Sequence, residues 1–355
     1  MSFIIGSAPV FEEFWFYKKS VLVKYDDGAH AYYRVAGDKL VLLDGVTQTV
    51  HIVDKSSALV PWGCKMFAQK LMRLMPTTTS AGGRIVTDSM PLVDFEILVN
   101  EAKSAHKEHL DDAANVGKQA HFYLESRAKL ELGLISEMPA LPDDPRAVSC
   151  IVDALTTWDK HRLVWRAAER KVLSLELDCA GTLDGLVQAS SCDNPFCCPH
   201  PFENETALLD YKTSNYLYET FLYQTAFYVK ALVEEFPALD IRHRFIFKLG
   251  KEDGKFASWH SEAEDQEADF QGFVHCLKLT RNLRAAKERM AVIEAAQKSY
   301  NKQVQKDALA AEKLKDCGKK DYQGARKTLP VCVDGKPCEK CMAIWLARHP
   351  PIVLG

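Results

Sequence analysis

Up to about Asp54 the chain alternates apolar and polar positions, interrupted by turn residues at Asp26-Asp27-Gly28, Gly37-Asp38 and Asp44-Gly45. A period of two punctuated in this way predicts short antiparallel hairpins. The period then becomes helical: Ser56 or Ser57 can cap a helix carrying Leu59, Trp62, Met66, Phe67 and Leu71 and ending near Pro76. A polar loop is expected from Thr77 to Gly83. Leu92 to Leu132 reads as helix broken near Asn115 to Gly117, and a further helix after the loop Pro139 to Pro145 reaches about His161. From Val164 to Thr213 the pattern is strand-like, with strands at Cys179–Val187 and Thr206–Thr213. A helix from about Tyr216 to Glu235 follows, then strands at Ile241–Leu249 and Phe256–His260 around Asp253-Gly254. Residues from about Glu262 to Lys315 predict long basic helices rich in Ala, Lys and Gln, and the tail from Gly318 reads as irregular. Helix, three strands, helix, strands is an α/β order.

Composition adds limits rather than a fold. The chain has 355 residues, 47% hydrophobic and 26% charged, as a soluble globule has. No run of about 18 apolar residues occurs and Met1-Ser-Phe-Ile-Ile lacks a basic leader, so the expected protein is cytoplasmic and without membrane contact. Eleven cysteines would stay reduced there, which favours metal ligation over disulfides for the clustered ones. The net charge of −3 argues against a surface basic all over, yet Arg281 to Lys327 holds thirteen Lys/Arg against six Asp/Glu. Such a stretch can meet phosphates. Neither a phosphate-binding Gly-x4-Gly-Lys-Ser/Thr loop nor a Gly-x-Ser-x-Gly or HExxH motif is present, which removes encoded ATP-driven unwinding and the commonest hydrolase alternatives.

The chemistry concentrates between Ala180 and Tyr228. Asp210 and Lys212 are two apart on one strand and so share a face. Gln224 and Tyr228 are four apart on the next helix and share a side. With Asp184 on the preceding strand, two carboxylates and a lysine are expected to converge beside one helical face. Carboxylates are what a hard divalent cation takes, and a lysine beside them can orient a water and stabilise developing negative charge. Asp210-x-Lys212 by itself would be no more than a solvated ion pair; its order and spacing with the other pieces give it weight. His121 alone would be read as a core histidine, and Glu169 as a partner of Arg166 or Arg170. His106 and His109 lack a carboxylate to complete a site and are expected on the surface.

These pieces together resemble the PD-(D/E)XK nuclease superfamily, in the branch of the RecB nuclease domain and many phage and CRISPR-associated exonucleases. The resemblance rests on Gly117-x-x-x-His121 followed by Glu125, Glu169 at the head of a strand, Ala180-Gly-Thr-Leu-Asp184, Asp210-Tyr-Lys212-Thr-Ser214 and Gln224-x-x-x-Tyr228. It covers roughly Val46 to Trp259. Leu183 replaces the proline of the superfamily's name, and the second acid is Asp. The resemblance implies a restriction-endonuclease-like core, a mixed central sheet flanked by helices, with a β-rich N-terminal part and a long helical C-terminal part. It further implies Mg2+ or Mn2+ held by Asp184, Asp210, His121 and the backbone carbonyl of Tyr211, with Lys212, Gln224, Tyr228 and Glu169 completing the catalytic set. The implied activity is DNA hydrolysis, as an exonuclease of phage or prokaryotic recombination and repair. The implied setting is a bacterial or phage-infected cell, where a helicase or a single-strand-annealing or recombination protein would be the partner. A structure-specific endonuclease and an inactive nucleic-acid-binding module stay open as alternatives.

The same branch suggests that Cys332-x5-Cys338-x2-Cys341 holds a [4Fe-4S] cluster, with Cys317 as the nearest fourth ligand. Cys192, Cys197 and Cys198 fall in the loop 190–203; either set can instead bind zinc, with His200 as a ligand. The expected divisions are therefore hairpins and helix at 1–90, a core at 91–262, a basic helical region at 263–328 and a cysteine-containing tail at 329–355.

Overall fold

The computed structural model describes residues 11–53, 56–75, 77–80, 83–86, 92–214, 216–251, 256–313 and 339–348. The chain divides into two units, Met1–Thr280 and Arg281–Gly355. No helix among the described residues is long and apolar enough to cross a membrane.

The first unit opens with an antiparallel meander of four strands, β1 (Phe11–Phe16), β2 (Val21–Asp26), β3 (Ala31–Ala36) and β4 (Lys39–Leu42). Asp44-Gly45 departs from the expected turn. It forms a two-residue strand β5 paired parallel to Cys179 and Ala180, and helix α1 (Val46–Val50) follows directly. Burial of Leu43, Val46 and Val50 draws the chain into the core instead of reversing it at the surface. Next come α2 (Ser56–Leu74) and an antiparallel pair, β6 (Thr77–Ser80) and β7 (Gly83–Val86). These strands replace the expected polar loop; three successive threonines are polar, but their branched Cβ favours extended backbone.

Helix α3 (Leu92–Ala102) and helix α4 (Ala105–Glu131) are separated at Lys103–Ser104, not at Asn115 to Gly117. Gly117 lies inside an unbroken α4 and serves packing: a Cβ there would fall 2.5 Å from Thr213 Oγ1. The bare backbone lets α4 approach the sheet and carries His121 one turn further along. Gly117→Val should therefore force α4 outward, lowering stability by about 1–3 kcal/mol in urea unfolding, as overpacking does. Unchanged stability would show that the close approach is dispensable.

Helix α5 (Pro145–His161) starts as its sequence dictates. Pro145 sits in the first turn and the Asp144 carboxylate accepts the Arg146 N–H at 2.9 Å. The remaining elements are β8 (Val164–Ser174), β9 (Cys179–Ala189), β10 (Glu205–Lys212), α6 (Glu219–Glu235), β11 (His243–Lys248), β12 (Ala257–Glu262) and α7 (Gln266–Lys313). Within the tail expected to be irregular, Glu339–Arg348 forms a helix, α8.

The central sheet runs β12-β11-β10-β9, with β8 on the far side of β9 and β5 beside its first residues. Its β10–β11 pair is parallel, bridged by α6, and β8–β9, β9–β10 and β11–β12 are antiparallel, so the sheet is mixed. Both faces are covered. On one, Ala120, Leu124, Ile151, Ala154 and Trp158 of α4 and α5 pack on Val187, Leu209, Tyr211, Phe245 and Phe247. On the other, Val46, Val50, Phe227, Leu232, Phe270 and Phe273 pack on Val172, Leu183 and Leu208. Burial from both sides explains why β10 and β11 read as nearly continuous apolar runs. The N-terminal meander packs through Phe16, Val23, Tyr25 and Tyr32 on Leu173 and Ala180, at the other end of β8 and β9. Arg244 on β11 anchors the first turn of α7 by a 2.5 Å ion pair with Asp269.

Past the register shift between Trp165 and Ala167, the face alternation of β8 and β9 slips by one position at one further rung. Trp165 and Ala168 face one core and Val172 the other; Leu183 faces the second core and Val187 the first. Regular alternation would put Ala168 with Val172, and Leu183 with Val187. The slip falls at Glu169 and Asp184.

Candidate active site

Glu169 stands opposite Asp184, between the pairs Ala168↔Gly185 and Arg170↔Leu183. It has φ +48°, a left-handed conformation that costs a non-glycine residue on the order of 1 kcal/mol. The distortion lets both acids reach one cavity, of about 560 Å³. Glu169 thus lies in the middle of β8, not at the head of a strand. The arginines beside it are engaged elsewhere, Arg166 with Gln188 and Arg170 with Glu235.

From β10, Asp210 and Lys212 enter the same cavity. Lys212 Nζ lies 2.6 Å from Asp210 Oδ2, an ion pair without directed hydrogen-bond geometry, and 5.1 Å from the centre of the Phe221 ring. Asp184 Oδ2 accepts the Tyr211 backbone N–H at 2.7 Å and lies 3.9 Å from His121 Nδ1 on α4. On α6, Gln224 Nε2 donates to Tyr228 Oη at 2.7 Å, with both side chains buried along the cavity wall. His121, Glu169, Asp184, Asp210, Lys212, Gln224 and Tyr228 therefore meet in one place. The Tyr211 side chain turns into the opposite core beside Trp158 and Phe247, leaving only its backbone near the acids. Glu125, one turn beyond His121, is paired with Lys129. His106 and His109 are exposed, as expected.

Five acids line this cavity against two lysines: Glu12, Asp27, Glu169, Asp184 and Asp210 face Lys171 and Lys212. Burial raises the three inner carboxyls above the usual range. Glu169 is pushed up to about 8, by desolvation first and then by the Asp184 charge. Asp210 goes to about 6, again by desolvation, with Lys212 opposing and Asp184 reinforcing the rise. Asp184 moves upward by burial, partly offset by Lys212 and the Tyr211 N–H. His121 is lowered to about 4 by burial and by Lys212, so near neutral pH its imidazole is uncharged. Two lysines do not offset the burial of these acids, and the oxygen-rich donors of the pocket suit a hard divalent cation. The donor set fits Mg2+ or Mn2+.

Residues from the N-terminal meander also line the cavity, among them Tyr25, His30 and Tyr32, with Tyr32 Oη 2.7 Å from Thr182 Oγ1. The sequence pattern predicts these hairpins but gives no sign that their tyrosines reach the acids. A signal was present in the pairing of Tyr25 and Tyr32 across one turn, which puts two aromatic hydroxyls on one face.

A second group of possible metal ligands lies apart from this cavity. His161, Cys192, Cys197 and Cys198 bring one ligand atom each within 4.8 Å of one another, an arrangement able to hold a metal ion. His200 is not among them; it is exposed and its Nδ1 lies 3.0 Å from Glu262. His161, at the end of α5, takes the place expected for it. Cys317, Cys332 and Cys338 lie outside the described residues, as does the side chain of Cys341.

No protein-family model matches the chain, and no curated protein matches it.

Proposed function

We propose that this chain is a Mg2+- or Mn2+-dependent deoxyribonuclease on a restriction-endonuclease-like core, acting on DNA ends as an exonuclease. The supporting observation is the meeting of Glu169, Asp184, Asp210 and Lys212 in one buried, acid-rich cavity. Asp184 and Asp210 would hold the cation, with His121 and Glu169 in reach. Bound there, the ion would neutralise the phosphate and make a water more acidic. Lys212 Nζ, held by Asp210 and the Phe221 ring, would offer its N–H groups to developing negative charge. The uncharged His121 can take or give a hydrogen bond without adding to the cation count. Gln224 and Tyr228, bonded to each other and buried, keep the α6 wall rigid and exclude water. In the second unit, Lys298, Lys302 and Lys306 are exposed and four apart along α7, a basic stripe suited to a phosphate backbone.

Digestion of end-labelled single- and double-stranded oligonucleotides with Mg2+ or Mn2+ tests this reading. Progressive loss of nucleotides from linear DNA, abolished by EDTA, is the expected result. Cutting of closed circles would make it an endonuclease with the same site. DNA binding unaffected by chelation, with no hydrolysis, would make it a binding module.

The raised carboxyls set a pH dependence for the cation. Protons occupy the pocket below about pH 6 at Asp210 and below about pH 8 at Glu169, so cation binding must displace them. Mn2+ affinity should rise between pH 6 and 8, by up to about tenfold per pH unit for each proton displaced. Calorimetry in buffers of different ionisation enthalpy would register the released protons; a pH-independent affinity would contradict the assignment.

A further inference from the structure

We propose that His161, Cys192, Cys197 and Cys198 bind one zinc ion that fastens the long excursion between β9 and β10 to the end of α5. Two of the side-chain spacings match the edges of a single tetrahedral ion. Cys192 Sγ lies 3.8 Å from Cys198 Sγ, and Cys197 Sγ lies 3.6 Å from His161 Nε2. Around zinc, bonds of about 2.3 Å to sulfur and about 2.0 Å to nitrogen give tetrahedral edges of about 3.8 and 3.5 Å. A disulfide needs sulfurs about 2.05 Å apart, and these cysteines are free. A multi-iron cluster would interpose several atoms and hold its ligands further apart than the 4.8 Å that encloses all four here.

The surroundings complete the site. Ser190 O lies 3.1 Å from His161 Nδ1 and can only accept, which fixes the proton on Nδ1 and leaves the Nε2 lone pair facing Cys197. The cysteine turn is shaped by its own backbone, with Cys197 and Cys198 N–H both donating to Asn194 O at 3.0 and 2.9 Å. Cys197 O accepts from His260 Nδ1 at 3.1 Å and Cys197 Sγ meets Ser258 Oγ at 3.0 Å, so the turn is tied to β12 as well. The segment joining β9 to β10 has no helix or strand of its own, and stretches of that length are uncommon in a compact fold unless they are functional or disordered. Cys192 is partly exposed at the edge of a cleft of about 870 Å³, which gives the ion a way in.

Zinc analysis of the purified full chain and of Cys192→Ser/Cys198→Ser tests the proposal, together with alkylation of Cys192 read by peptide mass spectrometry. The double variant should carry one zinc equivalent per chain less than wild type, whatever the tail cysteines bind. In wild type, Cys192 should react at least tenfold more slowly in the zinc-loaded state than after chelation, a readout that needs no variant to fold. Zinc content unchanged by the substitutions, alkylation unaffected by chelation, or iron with acid-labile sulfide in place of zinc would overturn it.

Discussion

Asp184→Asn should eliminate the proposed metal-dependent DNA hydrolysis, by more than about 10³-fold in kcat, and at the same time raise the melting temperature of the metal-free protein. The two effects have one cause. Asp184 is buried, its charge raises the proton affinity of Glu169 and Asp210, and only Lys212 and the Tyr211 N–H offset its desolvation. An amide keeps the shape and can still accept from Tyr211, while the repulsion disappears. Lys212→Ala should also lose hydrolysis, by about 10²- to 10³-fold, the usual effect of removing one donor to developing charge. It spares the acids, so cation binding should survive. Activity within tenfold of wild type in either variant, measured on labelled DNA, would refute the assignment.

Glu169→Gln has the second largest effect, on stability. A carboxyl whose pKa is about 8 in the fold and about 4.5 when unfolded binds its proton more tightly in the folded state. Its contribution to stability is complete below about pH 4.5 and is lost as pH rises through 8. The metal-free wild type should therefore lose stability across that window. Glu169→Gln should flatten the profile and be more stable at pH 8, on the order of 2–4 kcal/mol after allowing for its partial exposure. Thermal unfolding of both proteins in EDTA from pH 5 to 8.5 reads this directly. Parallel profiles would place Glu169 away from any uncompensated charge. Excess Mg2+ should remove most of the difference, because the ion supplies the missing counter-charge.

Much of this arrangement was legible in the residues because it depends on local spacing. Asp210 and Lys212 share a face for reasons internal to one strand, and Gln224 and Tyr228 for reasons internal to one helix. β10 and β11 announce themselves as strands because burial on both faces leaves few polar positions. What was not legible depends on partners distant in the chain. Asp44-Gly45 has the composition of a turn, and only the edge of Cys179 and Ala180 makes it a strand. Gly117 looks like a helix breaker until Thr213 is packed against it. Glu169 belongs to the middle of a strand, and its left-handed backbone arises from the slip that it shares with Asp184. His161 carries no motif, being the last residue of an amphipathic helix, and only the fold brings it to the cysteines.

Titration of metal-free protein with Mn2+ at pH 7.5, for wild type and Asp184→Asn/Asp210→Asn, tests the central claim most directly. The acids of β9 and β10 acting together predict a saturable Mn2+ site in wild type, with proton release, and its loss in the double variant. Equal binding by both proteins, or none by wild type, would contradict a cation held by these two carboxylates.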